Sequence, residues 1–326
     1  MKIELAIKFG SNEIIVYRKG LGIIARQSSY VAISKRGGKI VAYGDEAKHL
    51  CTIKSSQYDL KEPIQGIDII DNKLATSLLS DIISQAVLEN GRITALVAVP
   101  CALTEKKLIE IKILLQNAGI SKVNFVQNAV CVRFNLPVLE TSKIMIVDMG
   151  KYLIDMSILS KYDFINGRNY LIGGAEMDEA IKAYIEDNFE VLIGLDEAEN
   201  IKNEIASMYN NDMYTTTFNG IDGKGEYKEV TMRANEARVA VIGVYDKIFD
   251  LIEEFIECLT REEQAEIRKN GIVFTGGVSS IDGLVEYASK RLNLPTMVVN
   301  NPKDAVILGA GKLLSLNEKD YPHISI

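Results

Sequence analysis

The sequence predicts an α/β protein of two lobes, each a mixed β-sheet with flanking helices, arranged around a central cleft. Three observations predict it. The chain has 326 residues, more than one hydrophobic core comfortably serves. Strand-like runs alternate with amphipathic helical stretches, the order that builds parallel or mixed sheets covered by helices. One local pattern, a strand, a glycine turn and a second strand, opens each half of the chain.

The elements follow in order. Alternation runs from Ile3 to Ile7 and again from Glu13 to Tyr17, with the hairpin signal Gly10-Ser11-Asn12 between them. Strands are expected over Tyr30–Ser34 and, after the Gly37-Gly38 turn, over Lys39–Tyr43. A helix near Leu74–Leu88, a buried strand Ile93–Val99, a helix Glu105–Ala118 and a strand Val123–Val126 come next. The opening pattern then recurs: strand Lys143–Val147, turn Asp148-Met149-Gly150, strand Ile154–Leu159. This single short repetition points to an old duplication.

In the second half a helix runs from Glu176, with Met177, Ile181, Tyr184, Ile185 and Phe189 on its apolar side. Asp178, Glu179, Lys182 and Glu186 fall between them as its polar side. Another helix carries Glu199 and Lys202, three apart and facing the same way. The polar, Gly-rich stretch 210–228 reads as an exposed hairpin or loop. A helix over Val241–Leu259, a charged turn over Thr260–Asn270, a strand Ile272–Thr275, the pair Gly276-Gly277 and a helix from about Ile281 follow. A strand Thr296–Val299 precedes a small-residue helix containing Leu308-Gly309-Ala310-Gly311.

Composition narrows the function classes. Hydrophobic residues make up 47% and charged residues 25% of the chain, as in ordinary soluble globular proteins. A net charge of −7 argues against general nucleic-acid affinity, which needs clustered Lys and Arg. It also disfavours electrostatic attachment to a membrane. Cys51, Cys101, Cys131 and Cys258 are scattered and read as reduced thiols. With only His49 and His323, a histidine metal site or a Ser-His-Asp triad is not expected. No apolar run approaches the roughly 20 residues that span a bilayer, and no signal peptide is apparent, so a cytoplasmic protein is expected.

A strand that ends in Thr275-Gly276-Gly277 suits a nucleotide, because glycines let the backbone approach a ligand and the following helix start favours negative charge. Taken alone this is weak, and Glu199 with Lys202 alone reads as a solvated ion pair. The order of the pieces adds information. Val41-Ala42-Tyr43-Gly44-Asp45-Glu46-Ala47-Lys48, Val99-Pro100 with Leu103-Thr104-Glu105, and Glu176-Met177-Asp178-Glu179-Ala180-Ile181 occur in sequence. Leu192-Ile193-Gly194, Ala198-Glu199 with Ile201-Lys202 and Glu204-Ile205, Ile272-Val273 with Thr275-Gly276-Gly277, and Ala305-Val306 with Leu308-Gly309-Ala310-Gly311-Lys312 complete the series. Along nearly its full length the chain resembles the MreB-like bacterial actins of the actin/chaperone/sugar-kinase superfamily.

The resemblance implies an actin-like fold of four subdomains: a first large one over 1–27, 63–141 and 304–326, and a first small one over 28–62. The second large one covers 142–177 and 237–303, and the second small one 178–236. It further implies ATP·Mg²⁺ between the lobes and head-to-tail assembly into double protofilaments. Glu199 and Lys202 match the pair that holds ribose and adenine, and Gly276 and Gly277 match the adenosine-side turn, with Val278 where a third glycine is expected. Gly10 and Ser11 in the first hairpin, and Asp148 and Gly150 in the second, match phosphate-side positions.

That phosphate side departs from the family pattern. The first hairpin has Lys8 where the family has the Asp that helps hold hydrated Mg²⁺; an ammonium repels the ion, so no metal is expected. The second reads Asp148-Met149-Gly150-Lys151-Tyr152 where the family has further glycines, and side chains at 151 and 152 are expected to oppose φ > 0 and fill phosphate space. Asn128 stands at the position of the family's general base, and an amide orients water without accepting its proton. Lys8 is expected to pair with Asp148 or to take the metal's place beside a phosphate.

These departures imply a cytoskeletal or scaffold subunit, filament-forming or co-assembling with an MreB-like relative. Its ATP hydrolysis would be impaired, and its ATP or ADP binding weak or Mg²⁺-independent. An active ATPase that drives filament dynamics and a non-polymerising adaptor are the alternatives. Membrane anchors of the family are not matched, since Met1-Lys2-Ile3 enters a strand directly and Glu89-Asn90-Gly91-Arg92 is polar.

Overall fold

The structure is a computed structural model that describes residues 2–136, 143–210, 213–316 and 324. His323 lies outside the described residues. The chain divides into two compact units, one of Met1–Thr141, Ser157–Asn169 and Asp304–Ile326, the other of Ser142–Met156 and Tyr170–Lys303.

The first half runs β1 (Lys2–Phe9), β2 (Glu13–Arg18), β3 (Gly22–Ser28), β4 (Val31–Ser34), β5 (Ile40–Tyr43) and α1 (Gly44–Ile53). It continues through β6 (Tyr58–Lys61), β7 (Ile64–Gln65), β8 (Asp68–Ile69), α2 (Asn72–Ala86), β9 (Arg92–Val99), α3 (Glu105–Asn117), β10 (Lys122–Gln127) and α4 (Asn128–Asn135). The main sheet has the order β10–β9–β1–β2–β3. In it β9 is parallel to β1 and β10, and β1 and β2 form an antiparallel hairpin. Its core joins Leu5, Ile7, Ile14 and Val97 to Leu78, Ile82, Leu108 and Leu115 of α2 and α3. A separate small sheet, β5–β4–β6, packs with α1 around Tyr30, Ala32, Ala42, Ala47 and Cys51.

The remainder runs β11 (Lys143–Met149), β12 (Ile154–Ser160), β13 (Asp163–Tyr170), α5 (Gly174–Phe189), β14 (Val191–Leu192), α6 (Leu195–Ile205), β15 (Thr215–Asp222), β16 (Tyr227–Arg233) and α7 (Ala234–Glu257). Then come α8 (Arg261–Asn270), β17 (Ile272–Thr275), a 3₁₀ turn Gly277–Ser280, α9 (Leu284–Leu292), β18 (Thr296–Val298) and α10 (Ala305–Leu313). The second five-stranded sheet has the order β13–β12–β11–β17–β18, with β11, β17 and β18 mutually parallel. The polar stretch that reads as an exposed hairpin pairs Thr215–Ile221 with Tyr227–Arg233.

Two expectations are corrected. The charged stretch 261–270 is helix α8 and not a turn. Thr260 caps it by accepting from the Glu263 N–H (3.3 Å), and the Glu263 carboxylate accepts from the Thr260 N–H (3.0 Å). Glu262 and Glu263 in its first turn and Arg268 and Lys269 in its last complement the helix dipole. Asp178, read as part of a polar face, is buried at 3% exposure. Elements β3, α1, β6, β7, β8, α4, β13 and β14 carry no expectation from the sequence; β3 and β13 are half-exposed strands whose patterns alternate poorly.

The small-residue helix α10 has a specific reason for its composition. A Cβ added to Gly309 would lie 1.7 Å from the Cys131 carbonyl oxygen of α4. One added to Gly311 would lie 2.7 Å from the Tyr17 ring. Glycine therefore lets the α10 backbone touch α4 and the hairpin strand β2 directly. Gly309→Ala is expected to destabilise the protein by about 3 kcal/mol, the upper range for overpacking a core. Gly243, on the exposed side of α7, has no atom within 4 Å of an added Cβ, so Gly243→Ala is expected to stabilise by about 1 kcal/mol. Thermal unfolding of the two variants checks both signs.

Candidate functional site

In each unit, taken by itself, the candidate residues gather at the carboxyl ends of parallel strands, where open α/β sheets bind ligands. In the first unit Lys8 is on β1, Gly10 and Ser11 follow β1, and Asn128 follows β10 as the first residue of α4. In the second, Asp148 is on β11, Gly150 follows it, and Gly276 and Gly277 follow β17, to which Asp148 is registered at Thr275.

The two glycine turns are built alike. A Cβ on Gly10 would meet the Glu13 carbonyl oxygen at 2.7 Å, and one on Gly150 would meet the Leu153 carbonyl oxygen at 3.1 Å. Both glycines face the same contact, three residues ahead, which excludes a side chain at Gly10 and crowds one at Gly150. Buried Ser29 ties the first turn, donating to the Gly10 carbonyl (2.7 Å) while its N–H donates to the Asn12 carbonyl (3.0 Å). The Ser11 hydroxyl donates to the Gly66 carbonyl (3.3 Å).

The second turn differs from expectation. Neither Lys151 nor Tyr152 has positive φ, so side chains there cause no backbone strain. The Lys151 ammonium lies over the Tyr152 ring, 5.2 Å from its centroid. A strict need for glycine is found at the start of α5. There the Gly174 N–H donates to the Gly150 carbonyl (3.1 Å) and the Ala175 N–H to the Lys151 carbonyl (2.8 Å). The Glu176 carboxylate accepts from the Gly173 N–H (2.7 Å). Helix N–H groups that have no partner within the helix are thereby satisfied by the turn. A Cβ on Gly173 would stand 2.3 Å from the Gly150 carbonyl oxygen, so the docking excludes any larger residue.

Four elements converge on Gly174. An added Cβ would lie 3.1 Å from Val278 Cγ2, 3.2 Å from Lys202 Nζ and 3.7 Å from Lys151 Cα. Lys202 reaches across to α5. Its ammonium donates to Asp178 Oδ1 (2.5 Å) and to the Gly174 carbonyl (3.1 Å). Burial pushes the Asp178 carboxyl up to about 6; Lys202 pulls it down, Glu199 pushes it up and Lys151 pulls it down. Glu199 and Lys202 therefore act on one buried acid from one face of α6.

Glycines 276 and 277 divide two tasks. Gly276 has φ +88 and an added Cβ would strike Asp148 Oδ1 (2.4 Å) and the Met149 carbonyl (2.5 Å), so it serves the turn itself. Gly277 has no atom within 4 Å of an added Cβ and leaves open space. Val278 packs on Gly174, and its carbonyl accepts from the Tyr245 hydroxyl (2.8 Å).

The donor sets can be tested against the groups that the resemblance implies. The nucleoside side fits: open space at Gly277 adjoins a turn whose neighbourhood includes Val278, Gly174 and Lys202. A Mg²⁺ ion takes oxygen donors, and an ammonium at Lys8 supplies none, so that position does not fit the metal. Among the described residues no group of three or more His, Cys, Asp or Glu is placed to hold a metal ion. Among the same residues no helix is long and apolar enough to cross a membrane.

Asp178 and the Gly173-Gly174 pair are the residues that sequence reasoning missed. A glycine pair just before a helical run, with an acid four residues on, was the available signal; the polar pattern of the helix concealed it.

Comparison with known proteins agrees with this layout. Residues 2–321 match the family described as MreB/Mbl protein. The cell shape-determining protein MreB of Escherichia coli K12 is 28% identical over 325 residues, covering 96% of this chain and 93% of its own. MreB 5 of Spiroplasma citri, solved bound to AMPPNP, superposes with a TM-score of 0.90 at 24% identity, covering 97% and 96%. MamK, solved as a double helical filament, superposes with a TM-score of 0.80 at 20% identity, covering 97% and 100%.

The ionisation of Asp178 has a consequence for stability. Its folded pKa lies above the unfolded value, so the folded state binds more protons between about pH 4 and 6. Its contribution is present at acid pH and lost as pH rises through about 6. Relative to Asp178→Asn, the unmodified protein is expected to lose about 1–3 kcal/mol of stability between pH 4.5 and 7. Urea unfolding of both proteins at the two pH values measures the difference.

Proposed function

The chain belongs to the MreB/Mbl family, and we propose that it serves as a cell-shape cytoskeletal or scaffold subunit that self-associates into filaments. It binds ATP or ADP weakly and without Mg²⁺, and it does not hydrolyse ATP efficiently. The observation that carries the reading is Lys8 at the carboxyl end of β1, where the family pattern has a metal-holding Asp. An ammonium there removes an oxygen donor and repels a divalent cation.

Two further features support it. Asn128 at the start of α4 replaces a carboxylate, and an amide cannot accept a proton from water. Loss of one general base typically costs about 10²–10⁴-fold in rate. When bound, Mg²⁺ neutralises charge that develops on a transferring phosphoryl group, and Lys8 supplies no oxygen donor for that task. Lys151 and Tyr152 occupy the turn that in the family pattern is glycine-rich and exposes N–H groups.

On the nucleoside side, Glu199, Lys202, Gly276 and Gly277 would hold the ligand, while Gly10, Ser11, Asp148 and Gly150 match the phosphate-side positions of the family pattern. The AMPPNP-bound MreB 5 structure supports nucleotide as the ligand class, and the MamK filament supports assembly. The four subdomains and a location in the cytoplasm belong to the same reading, as does co-assembly with an intact relative. No partner nucleic acid or direct membrane anchor is part of it.

Calorimetric titration tests the pocket. ATP affinity is expected to change less than about twofold between EDTA and Mg²⁺, with phosphate release at background. Tight Mg²⁺-dependent binding with steady phosphate release would overturn the proposal. Lys8→Asp is expected to make ATP binding Mg²⁺-dependent. In the same preparations, sedimentation should pellet filaments with or without nucleotide; a protein that stays monomeric under every condition would point to the adaptor role.

A further inference from the structure

Asp178 is a buried acid for which the nucleoside reading has no direct task. Its side chain is 5% exposed and that of its partner Lys202 is 14% exposed. An ammonium has three donors. Two of them on Lys202 are committed, one to Asp178 Oδ1 at 2.5 Å and one to the Gly174 carbonyl at 3.1 Å. Those two bonds, both made to α5, fix the direction of the third N–H. The acceptors are themselves fixed, because Gly174 is docked on Gly150 through its own N–H (3.1 Å). Glu199 lies one turn earlier on the same face of α6 and its charge reaches the same acid. One face of α6 therefore presents an aimed donor and a carboxylate acceptor.

We propose that Asp178 is the positioning residue for Lys202, holding its ammonium against the Gly174 carbonyl so that the remaining N–H and the Glu199 carboxylate meet the two hydroxyls of a nucleoside's ribose. A ribose diol offers both acceptor and donor, the complement of this pair. The inference rests on the nucleoside reading above.

It follows that nucleoside affinity depends on the ionisation of Asp178. The charged groups that act on it are Lys202 and Glu199 from α6 and Lys151 from the turn after β11. With Asp178 ionised, the ammonium is held by a charge-assisted bond. Once it is protonated near pH 6, that hold weakens and the long side chain is released.

The test uses the full chain in EDTA with adenosine, which carries no phosphate to titrate. Adenosine affinity is expected to be about tenfold weaker at pH 5.0 than at pH 7.5. Asp178→Asn should bind at both pH values as the unmodified protein does at pH 5.0. Carboxyl NMR of the ligand-free protein reads the pair directly: Lys202→Met should raise the Asp178 midpoint by about one unit or more. Asp178→Asn binding adenosine normally, with the pH dependence retained, would overturn the inference and leave the nucleoside reading standing. An Asp178 midpoint unmoved by Lys202→Met would also overturn it. If the unmodified protein binds neither adenosine nor ATP, the nucleoside reading fails and this inference with it.

Discussion

The seating of α5 on the turn after β11 is the contact on which the second unit's site depends. The first turn of a helix carries N–H groups that find no partner within it. Here the Gly150 and Lys151 carbonyls accept two of them, which joins helix and turn backbone to backbone. That approach leaves no space for a side chain at Gly173. It also sets the Gly174 carbonyl where the Lys202 ammonium reaches it, with Asp178 one turn along the same helix. Gly173, Gly174 and Asp178 of α5 and its cap, with Lys202 of α6, thus gather around two backbone hydrogen bonds.

The first unit solves a similar problem by a different route. There glycine thins a helix interface, so that α10 lies on the α4 backbone at Gly309 and under Tyr17 at Gly311. This contact anchors the helix that starts at Asn128 and the hairpin strand that follows Gly10. At Gly173, Gly309 and Gly311 glycine serves close approach with φ outside the left-handed region. Lys151 and Tyr152 likewise lack positive φ and occupy their turn without strain. Their effect on a phosphate is one of space and charge, not of backbone geometry.

Much of the fold was legible because its signals are local. The hairpins around Gly10 and Gly150, strands β9 and β17, and helices α3 and α10 follow from alternation, helical periodicity and turn residues. Where the reading failed, a competing signal won. The density of charge in 261–270 suggested a turn, although the same charges are ordered by sign along a capped helix. Asp178 sat in a polar pattern and was placed outside, whereas Lys202, 24 residues away, makes its burial tolerable.

The sequence alone determined the family, the two-sheet α/β class and the chemical identities at the altered positions, because those depend on residue type and order. Lys8, Asn128, Lys151 and Val278 can be read directly against a pattern. Tertiary structure alone decided which partner each charge takes. Helical spacing offered Lys202 to Glu199, and long-range packing brought it to Asp178 and the Gly174 carbonyl. Coulomb and hydrogen-bond energies fall with distance through space, and sequence separation carries no information about that distance until the chain is folded.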